Sequence, residues 1–149
     1  MSDNTNDAGK SYGEEDTTFQ AVGGKEGLHA LVTDFFHFMS TEAPFKRLHD
    51  MHPADKDLSI DKLYRFLTGW MGSDKLYSQK YGSIQLPRAH MHLDVIDADK
   101  KAWLDCMAMA MDNQGIDPEL KDYLLIQLAV PAERIKQVSQ ARQARQAQD

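Results

Sequence analysis

The sequence predicts an all-α fold. Apolar residues recur every three or four positions in several separate segments, which is the spacing of one helix face. No segment shows the strict alternation of apolar and polar residues that marks a half-buried strand, and no internal repeat is visible. At 149 residues the chain is long enough for one domain with one core.

Composition and charge argue against several classes of protein. The formal net charge of −6 argues against binding to a nucleic-acid backbone, which requires Lys and Arg on one surface. No apolar run approaches the ~20 residues that span a bilayer. The polar N-terminus has no apolar signal region, and the single cysteine, Cys106, cannot form an internal disulfide. We therefore expect a cytoplasmic protein without nucleic-acid or membrane partners.

Three parts are expected along the chain. Residues 1–16 are rich in Ser, Asp, Asn, Glu and Gly, so they predict a flexible N-terminal extension. The ordered domain is expected over residues 17–140, and residues 141–149 are expected to form a flexible C-terminal tail.

The first helices are predicted from capping and periodicity. Asp16 and Thr17 are expected to cap a short helix to about Val22, and two glycines, Gly23 and Gly24, are expected to end it. A second, amphipathic helix is predicted from Lys25 to about Ser40. Its apolar positions are Leu28, Leu31, Val32, Phe35, Phe36 and Met39.

The next segment contains two prolines and then another apolar period. A short helix is predicted around residues 45–49, followed by a turn at MHPADKD. Asp57 or Ser59 is expected to open a further helix that ends at Gly72. Its apolar positions are Leu58, Ile60, Leu63, Phe66, Leu67 and Trp70.

Residues 73–87 show no helical period, and a loop of that length usually has a function or a ligand holding it. A short helix is predicted around His90, and a long one over residues 97–112, capped by Asp97. A last helix is predicted from Pro118 to about Gln140. Pro131 is expected to kink or break it near residue 129, because proline lacks a backbone donor and clashes with the preceding turn.

Two histidines, His90 and His92, follow Pro87 in LPRAHMHLDV. On a helix, residues two apart lie ~200° from each other, so these side chains cannot be adjacent ligands of one ion. At most one faces inward. The spacing leaves open that both are ordinary loop or surface residues.

Aromatic side chains are expected to face a common interior. Such a cluster is consistent with a plain hydrophobic core as well as with a cofactor site. The residues are Phe35, Phe36, Phe66, Trp70 and Trp103.

Several motifs together resemble one known family. They are TTFQAVGGKEGL, LVTDFFHFM, MHPAD, KLYRFLTGWMG, LYSQKYG, LPRAHMHL and AWLDCM, and Trp103 in the last lies thirteen residues after His90. From about Thr18 to Gln127 the chain resembles the group II truncated hemoglobins, two-over-two helical heme proteins. The resemblance implies a helical sandwich around heme b, with His90 rather than His92 as the proximal iron ligand through Nε2. A proximal histidine leaves the sixth iron position open for O₂, NO or CO.

The resemblance also marks a distal pocket. Trp103 would donate its indole N–H to a bound ligand, and Leu63 would shape the wall. Ser59 would leave a gate open or simply cap a helix. Phe36 stands where the family usually has a tyrosine, and His52 where it often has tyrosine or phenylalanine. His52 would therefore donate to the ligand, bind ferric iron, or remain a solvated turn residue.

Further residues are implied as neighbours of the heme. Phe66 would contact the cofactor, and Lys62, Tyr77 and Arg88 are candidates for the two propionates. Cys106 is expected to be a buried small hydrophobe without reactivity. The remaining histidines, His29, His37 and His49, are expected on helix surfaces.

The implied function is reversible binding of O₂, NO or CO, with oxygen transport as one use. Dioxygenation of NO, or removal of peroxide or peroxynitrite with electrons from a separate reductase, would use the same pocket. The alternative is a globin-like sensor or interaction module without gas-binding catalysis.

Overall fold

A computed structural model of the protein describes residues 11–84 and 93–148. These residues form seven α-helices and one 3₁₀ turn, and no β-strand, which confirms the all-α prediction. The helices are α1 (Thr17–Ala21), α2 (Gly24–Thr41), α3 (Lys46–Asp50), α4 (Lys56–Trp70), α5 (Leu76–Tyr81), α6 (Asp97–Asn113) and α7 (Pro118–Gln148), with the 3₁₀ turn at Ala43–Phe45.

Helix α2 lies at the centre of the fold, because its packing partners include α4 and α6, and α6 packs in turn on α7. The buried face of α2 is the one that its apolar period predicts. Apolar side chains from α6 and α7 belong to the same buried cluster, so one core joins these three helices. The fully buried members include Leu28, Leu31, Val32, Phe35, Met39, Cys106, Met107, Ala110, Met111 and Leu124.

A double glycine forms the first corner, as predicted. Gly23 and Gly24 have φ angles of 105° and 66°, in the left-handed region that favours glycine. The capping prediction is wrong: Asp16 makes no side-chain bond to the helix N-terminus and instead accepts from Gln20 Nε2 at 3.0 Å.

The segment before α1 lies against the helices. The rings of Tyr12 and Tyr123 are 5.3 Å apart, and the backbone N–H of Gly13 donates to Thr18 Oγ1 at 2.9 Å. The carbonyl of Glu15 approaches Gly72 so closely that a Cβ on this glycine would lie 1.7 Å from the oxygen. Residues 12–15 therefore already belong to the packed structure.

Helix α4 begins earlier than predicted. Asp55 is the capping residue, and its carboxylate accepts from the Leu58 N–H at 3.1 Å. Neither Asp57 nor Ser59 has this role, because both already lie within the helix. The prediction failed because Asp55, Asp57 and Ser59 are all residue types that favour the capping position, so the sequence alone does not show which one caps the helix.

Helix α5 was not predicted. Its six residues are too few to show a period, and α4 stabilises it: Lys80 and Tyr81 both donate to Asp61. The expectation of an irregular segment over residues 73–87 is therefore wrong for Leu76–Tyr81.

Two predictions about the last helices also need correction. Asp97 does not cap α6; the Ile96 N–H donates to Asp99 Oδ2 at 3.0 Å, while Asp97 pairs with Lys136. Pro131 does not break α7, which continues to Gln148 rather than ending near residue 140. The missing proline N–H costs one helical bond, and packing on both sides offsets it, through buried Leu128 before and Ser139 after.

Candidate functional site

A pocket of about 380 Å³ lies between α2 and the α3–α4 connection. Its volume falls within the range of small-molecule sites. Three predicted distal residues, Phe36, His52 and Ser59, line it together. Met39 adds an apolar wall, whereas His49, Asp50 and Lys56 contribute polar groups that sequence reasoning had not assigned. We call this space the α2–α4 pocket.

Two contacts with described residues orient the ring of His52. Its ring packs edge-on against Phe36, with centroids 5.6 Å apart and an interplanar angle of 84°. Its Nδ1 lies 2.8 Å from the carbonyl oxygen of Leu48. A carbonyl oxygen can only accept, so Nδ1 carries the hydrogen. In the neutral ring Nε2 then has the lone pair, and the contact with Leu48 selects this tautomer.

The helix that carries Leu48 is fixed to the rest of the fold. Arg47 donates from Nε and Nη2 to the two carboxylate oxygens of Asp99, at 2.8 and 3.1 Å, and from Nη2 to the Asp94 carbonyl at 2.8 Å. Asp99 is only 3% exposed, so this paired contact joins α3 firmly to α6. The position of His52 therefore depends on a contact between helices distant in sequence.

Ser59 is half-buried in the first turn of α4. Because Asp55 caps that helix, the alternative that Ser59 is the cap is excluded. Its side chain is one of those that face the α2–α4 pocket.

Trp103 does not line the α2–α4 pocket. Its ring lies 5.1 Å from the ring of Phe35, which in turn lies 5.1 Å from the ring of Phe36. Trp103 is half-buried, and none of the described residues accepts a hydrogen bond from its indole N–H. The tryptophan is thus connected to the pocket through edge-on aromatic contacts, and none of the described residues uses its donor.

Two residues on α4 extend the apolar surface. Leu63 and Phe66 are three positions apart, so they share one helix face. Both pack against the core yet stay half-buried. A bound apolar molecule would cover the exposed parts of these two adjacent side chains.

Lys62 and Tyr77 lie in one cluster between α4 and α5. The ammonium of Lys62 is 5.4 Å from the centre of the Tyr81 ring, and the rings of Tyr77 and Tyr81 are 5.1 Å apart. Tyr81 thus joins the two predicted propionate contacts, although the sequence analysis did not single it out.

Asp61 is the polar centre of that cluster. It accepts from Arg65 Nε at 2.9 Å, Lys80 Nζ at 2.9 Å and the Tyr81 hydroxyl. Burial by itself raises the pKa of Asp61, but the bonds from Tyr81, Lys80 and Arg65 outweigh it and lower the pKa to about 2. Only the Arg65 contact, at i and i+4, has a local signal in the sequence.

The predicted proximal side lies largely outside the described residues. His90, His92 and Arg88 belong to the range 85–92, so their roles remain predictions. The chain immediately after this range is anchored on α7: the Val95 N–H donates to Ser139 Oγ at 2.9 Å, and Ser139 donates to the Leu93 carbonyl at 2.6 Å.

Other predicted residues are found where expected. His29, His37 and His49 are exposed on helices. Cys106 is fully buried and donates to the Phe35 carbonyl at 3.2 Å, and burial raises its pKa to about 12. Within residues 11–84 and 93–148 no three His, Cys, Asp or Glu side chains form a metal-binding group. That same part of the chain contains no helix long and apolar enough to cross a membrane.

The described residues fit a flat apolar cofactor with two carboxylates. Phe36, Met39, Leu63 and Phe66 provide apolar contact area, and they are half-buried or line a pocket. Lys62, on the same helix as Leu63 and Phe66, provides a cation that forms no ion pair with another described residue.

Comparison with known proteins gives consistent matches. A family model described as bacterial-like globin matches residues 17–137. Group 2 truncated hemoglobin YjbI of Bacillus subtilis (strain 168) is 28% identical over 123 residues, which cover 83% of this chain and 90% of that protein. The group II 2-on-2 hemoglobin of Agrobacterium tumefaciens superimposes with a TM-score of 0.75 at 29% identity, covering 80% of this chain and 92% of that one. A cold-adapted truncated hemoglobin of Pseudoalteromonas haloplanktis TAC125 also gives 0.75, at 28% identity and 79% and 95% coverage.

Proposed function

The chain belongs to the bacterial-like globin family, and from this membership we propose that it binds O₂, NO and CO reversibly at a heme b group. Heme-based gas binding is the general property of globins. The resemblance to group II truncated hemoglobins and the two-over-two fold are confirmed by the relatives of similar length. The particular cofactor, ligands and site residues are our proposal.

When bound, heme supplies an iron whose open coordination position accepts a diatomic molecule. We assign its retention to His90, which would bind through Nε2 while its Nδ1–H donates to a nearby backbone carbonyl. Lys62 and Tyr77, brought together by Tyr81, would bind the propionates, with Arg88 as a further candidate.

The observation that supports the proposal most strongly is the α2–α4 pocket. The resemblance marks Phe36, His52 and Ser59 as distal residues, and these three line one pocket although their positions span more than twenty residues. Leu63 and Phe66 continue the same apolar surface along α4. A plain hydrophobic core would bury Leu63 and Phe66 fully and would leave no pocket beside Phe36.

Trp103 is proposed as the hydrogen-bond donor to the ligand. Its indole nitrogen can only donate, and none of the residues that the structure describes accepts from it. A donor aimed at a ligand that develops negative charge stabilises the bound state. Phe36 has no hydroxyl, so the tyrosine that the family usually places at this position cannot contribute.

His52 is proposed as a ligand of ferric iron rather than as a donor. The bond to the Leu48 carbonyl places the hydrogen on Nδ1, so the neutral ring offers a lone pair at Nε2. A lone pair is what a metal requires, whereas a donor role would need a second hydrogen on the ring. Of the three alternatives that the sequence left open for His52, the contact with Leu48 therefore favours coordination of ferric iron.

Redox removal of NO, peroxide or peroxynitrite remains a secondary prediction for the same site. It is supported by the position of the α2–α4 pocket, which is lined by exposed residues such as Pro53 and Ala54 and is thus accessible to small solutes. Electrons would come from a separate reductase. Oxygen transport and a cytoplasmic location likewise remain predictions.

Absorption spectroscopy tests the proposal. The purified protein, titrated with hemin, should give a Soret band that saturates at one heme per chain, and the reduced form should shift on addition of CO. No saturable Soret band after reconstitution would reject heme binding and favour the globin-like interaction module instead.

A further inference from the structure

Two large apolar side chains project from the outer face of α7. Ile126 and Val130 are 67% and 66% exposed, well above the next exposed apolar residue, Ile84, at 42%. Ile126 lies two residues from both Leu124 and Leu128, which are buried, so it lies on roughly the opposite side of the helix. These residues contribute nothing to the core, and neither lines the α2–α4 pocket.

Two charged residues flank this apolar pair at the same interval. Asp122 precedes Ile126 by four residues, and Arg134 follows Val130 by four. The four side chains form one row on the helix surface, in the order acidic, apolar, apolar, basic. We call them the 122–134 row.

The charges of this row are unpaired in the part of the chain that the structure describes. Neighbouring charges on α7 are paired: Lys121 with Asp112, Glu133 with Lys100, and Lys136 with Asp97. Both Asp122 and Arg134 are exposed. Between Lys121 and Lys136, the charges that have no partner among the described residues are the two that enclose the apolar pair.

We propose that the 122–134 row is the contact surface for a second copy of this chain, bound antiparallel about a two-fold axis near residue 128. Reversal of the row places each acidic end opposite the basic end of the other copy and each isoleucine opposite a valine. A two-fold interface requires such self-complementarity, because the same patch occurs on both sides.

Helix geometry allows this contact. Rows of residues spaced by four form the ridges that pack in the commonest class of helix crossing, at about −50°. When two helices pack in this way, the 122–134 row of one copy runs alongside the 122–134 row of the other over its whole length. The ends of the row, about 18 Å apart at 1.5 Å per residue, can then both meet their counterparts.

A second copy explains the row better than an unrelated protein does. An unrelated partner would carry its own complementary groups. Binding to such a partner would not require the row to match a reversed copy of itself, as it does here. The small apolar area indicates a weak association, so dimers should form at concentrations between about 10 μM and 1 mM. This inference does not depend on the proposed heme function.

Charge reversal tests the proposal. In sedimentation equilibrium the mass of the parent protein should rise with concentration from 16.9 kDa toward twice that value. The single variants Asp122→Arg and Arg134→Asp should each weaken dimerisation about tenfold or more, because like charges then face each other at both ends. An equal mixture of the two variants should restore it, since each copy then carries only one sign of charge and meets the opposite sign.

Lys25→Asp is the control for Arg134→Asp, because it makes the same change in net charge at an exposed position on α2. It should leave the dimer unchanged, and circular dichroism should show equal helix content in every variant. If a charge reversal reduces helix content, Asp122→Asn and Arg134→Gln serve in its place and should each weaken the dimer to a smaller extent. A parent protein that stays monomeric at the highest concentration, or a mixture that does not recover, would overturn the proposal.

Discussion

The Nδ1 of His52 lies 2.8 Å from the carbonyl oxygen of Leu48, four residues earlier in the chain. The carbonyl can only accept, so this contact determines which ring nitrogen of His52 carries the hydrogen. Helix α3, which carries Leu48, is held in turn by the paired contact between Arg47 and Asp99. The chemistry available to His52 therefore depends on a bond that joins α3 to α6.

We expect the ferric, heme-loaded protein without added ligand to contain a six-coordinate, low-spin fraction, because the lone pair at Nε2 of His52 can bind the metal. His52→Ala should convert this fraction to high-spin iron, as measured by the ferric absorption spectrum. His49→Ala is the matched control, since His49 lines the same pocket but is exposed. Identical spectra in the parent and in His52→Ala would exclude coordination by this residue.

His90→Ala should abolish stable heme retention, whereas His92→Ala should leave it close to that of the parent. The reason is the helix expected around His90: on a helix, side chains two residues apart diverge by ~200°, so only one of the two would face the cofactor. The measurement is the rate of heme transfer to an excess of an apo-globin acceptor. Equal loss in both variants, or loss only in His92→Ala, would show that the other histidine binds the iron.

Trp103→Phe should speed O₂ release, since the indole donor is lost while most of the ring volume stays. A hydrogen bond to a charged acceptor contributes ~1.5–3 kcal/mol, so release should accelerate by roughly ten- to a hundredfold. Stopped-flow displacement of O₂ by CO measures this rate. Trp70→Phe, which changes the other tryptophan, should have little effect, and an unchanged rate in Trp103→Phe would mean that Trp103 only packs.

Asp61 should stabilise the fold in a pH-dependent manner. Its pKa is about 2 in the folded protein and lies near ~3.9 when unfolded, so its contribution is complete above about pH 4 and is lost as the pH falls through about 2. Asp61→Asn should therefore lower Tm at pH 6, and this difference should narrow as the pH approaches 2.

The control for Asp61→Asn is Asp105→Asn, which removes an exposed salt bridge between Asp105 and Lys101. Isolated surface pairs contribute little, so this variant should keep the Tm of the parent at pH 6. Equal Tm values for Asp61→Asn and the parent at every pH would show that the Asp61 cluster does not stabilise the α4–α5 contact.

The sequence by itself determined the long helices and the family. The apolar period of α2 predicted its buried face, from Leu28 to Met39, because a face that repeats every three or four residues must be removed from water. The double glycine predicted the first corner, since positive φ angles cost least at glycine. Phe36, His52 and Ser59, which line one pocket, were predicted as distal residues from motifs that resemble one family.

Only the tertiary structure decided the rest, because it depends on contacts between residues distant in the chain. Local propensity is too weak to make a segment as short as the six residues of α5 helical. A hydrogen bond from Lys80 to Asp61, nineteen positions earlier in the chain, stabilises this helix. Packing around Leu128 and Ser139 likewise keeps α7 continuous at Pro131, where the local rule predicted a kink or break. Pairing of α3 with α6 positions Leu48 and so selects the tautomer of His52, and the edge-on ring contacts of Phe35 and Phe36 connect Trp103 to the α2–α4 pocket. A local pattern reports the preference of a segment, whereas hydrogen-bond partners and ring contacts are fixed only when the helices pack against each other.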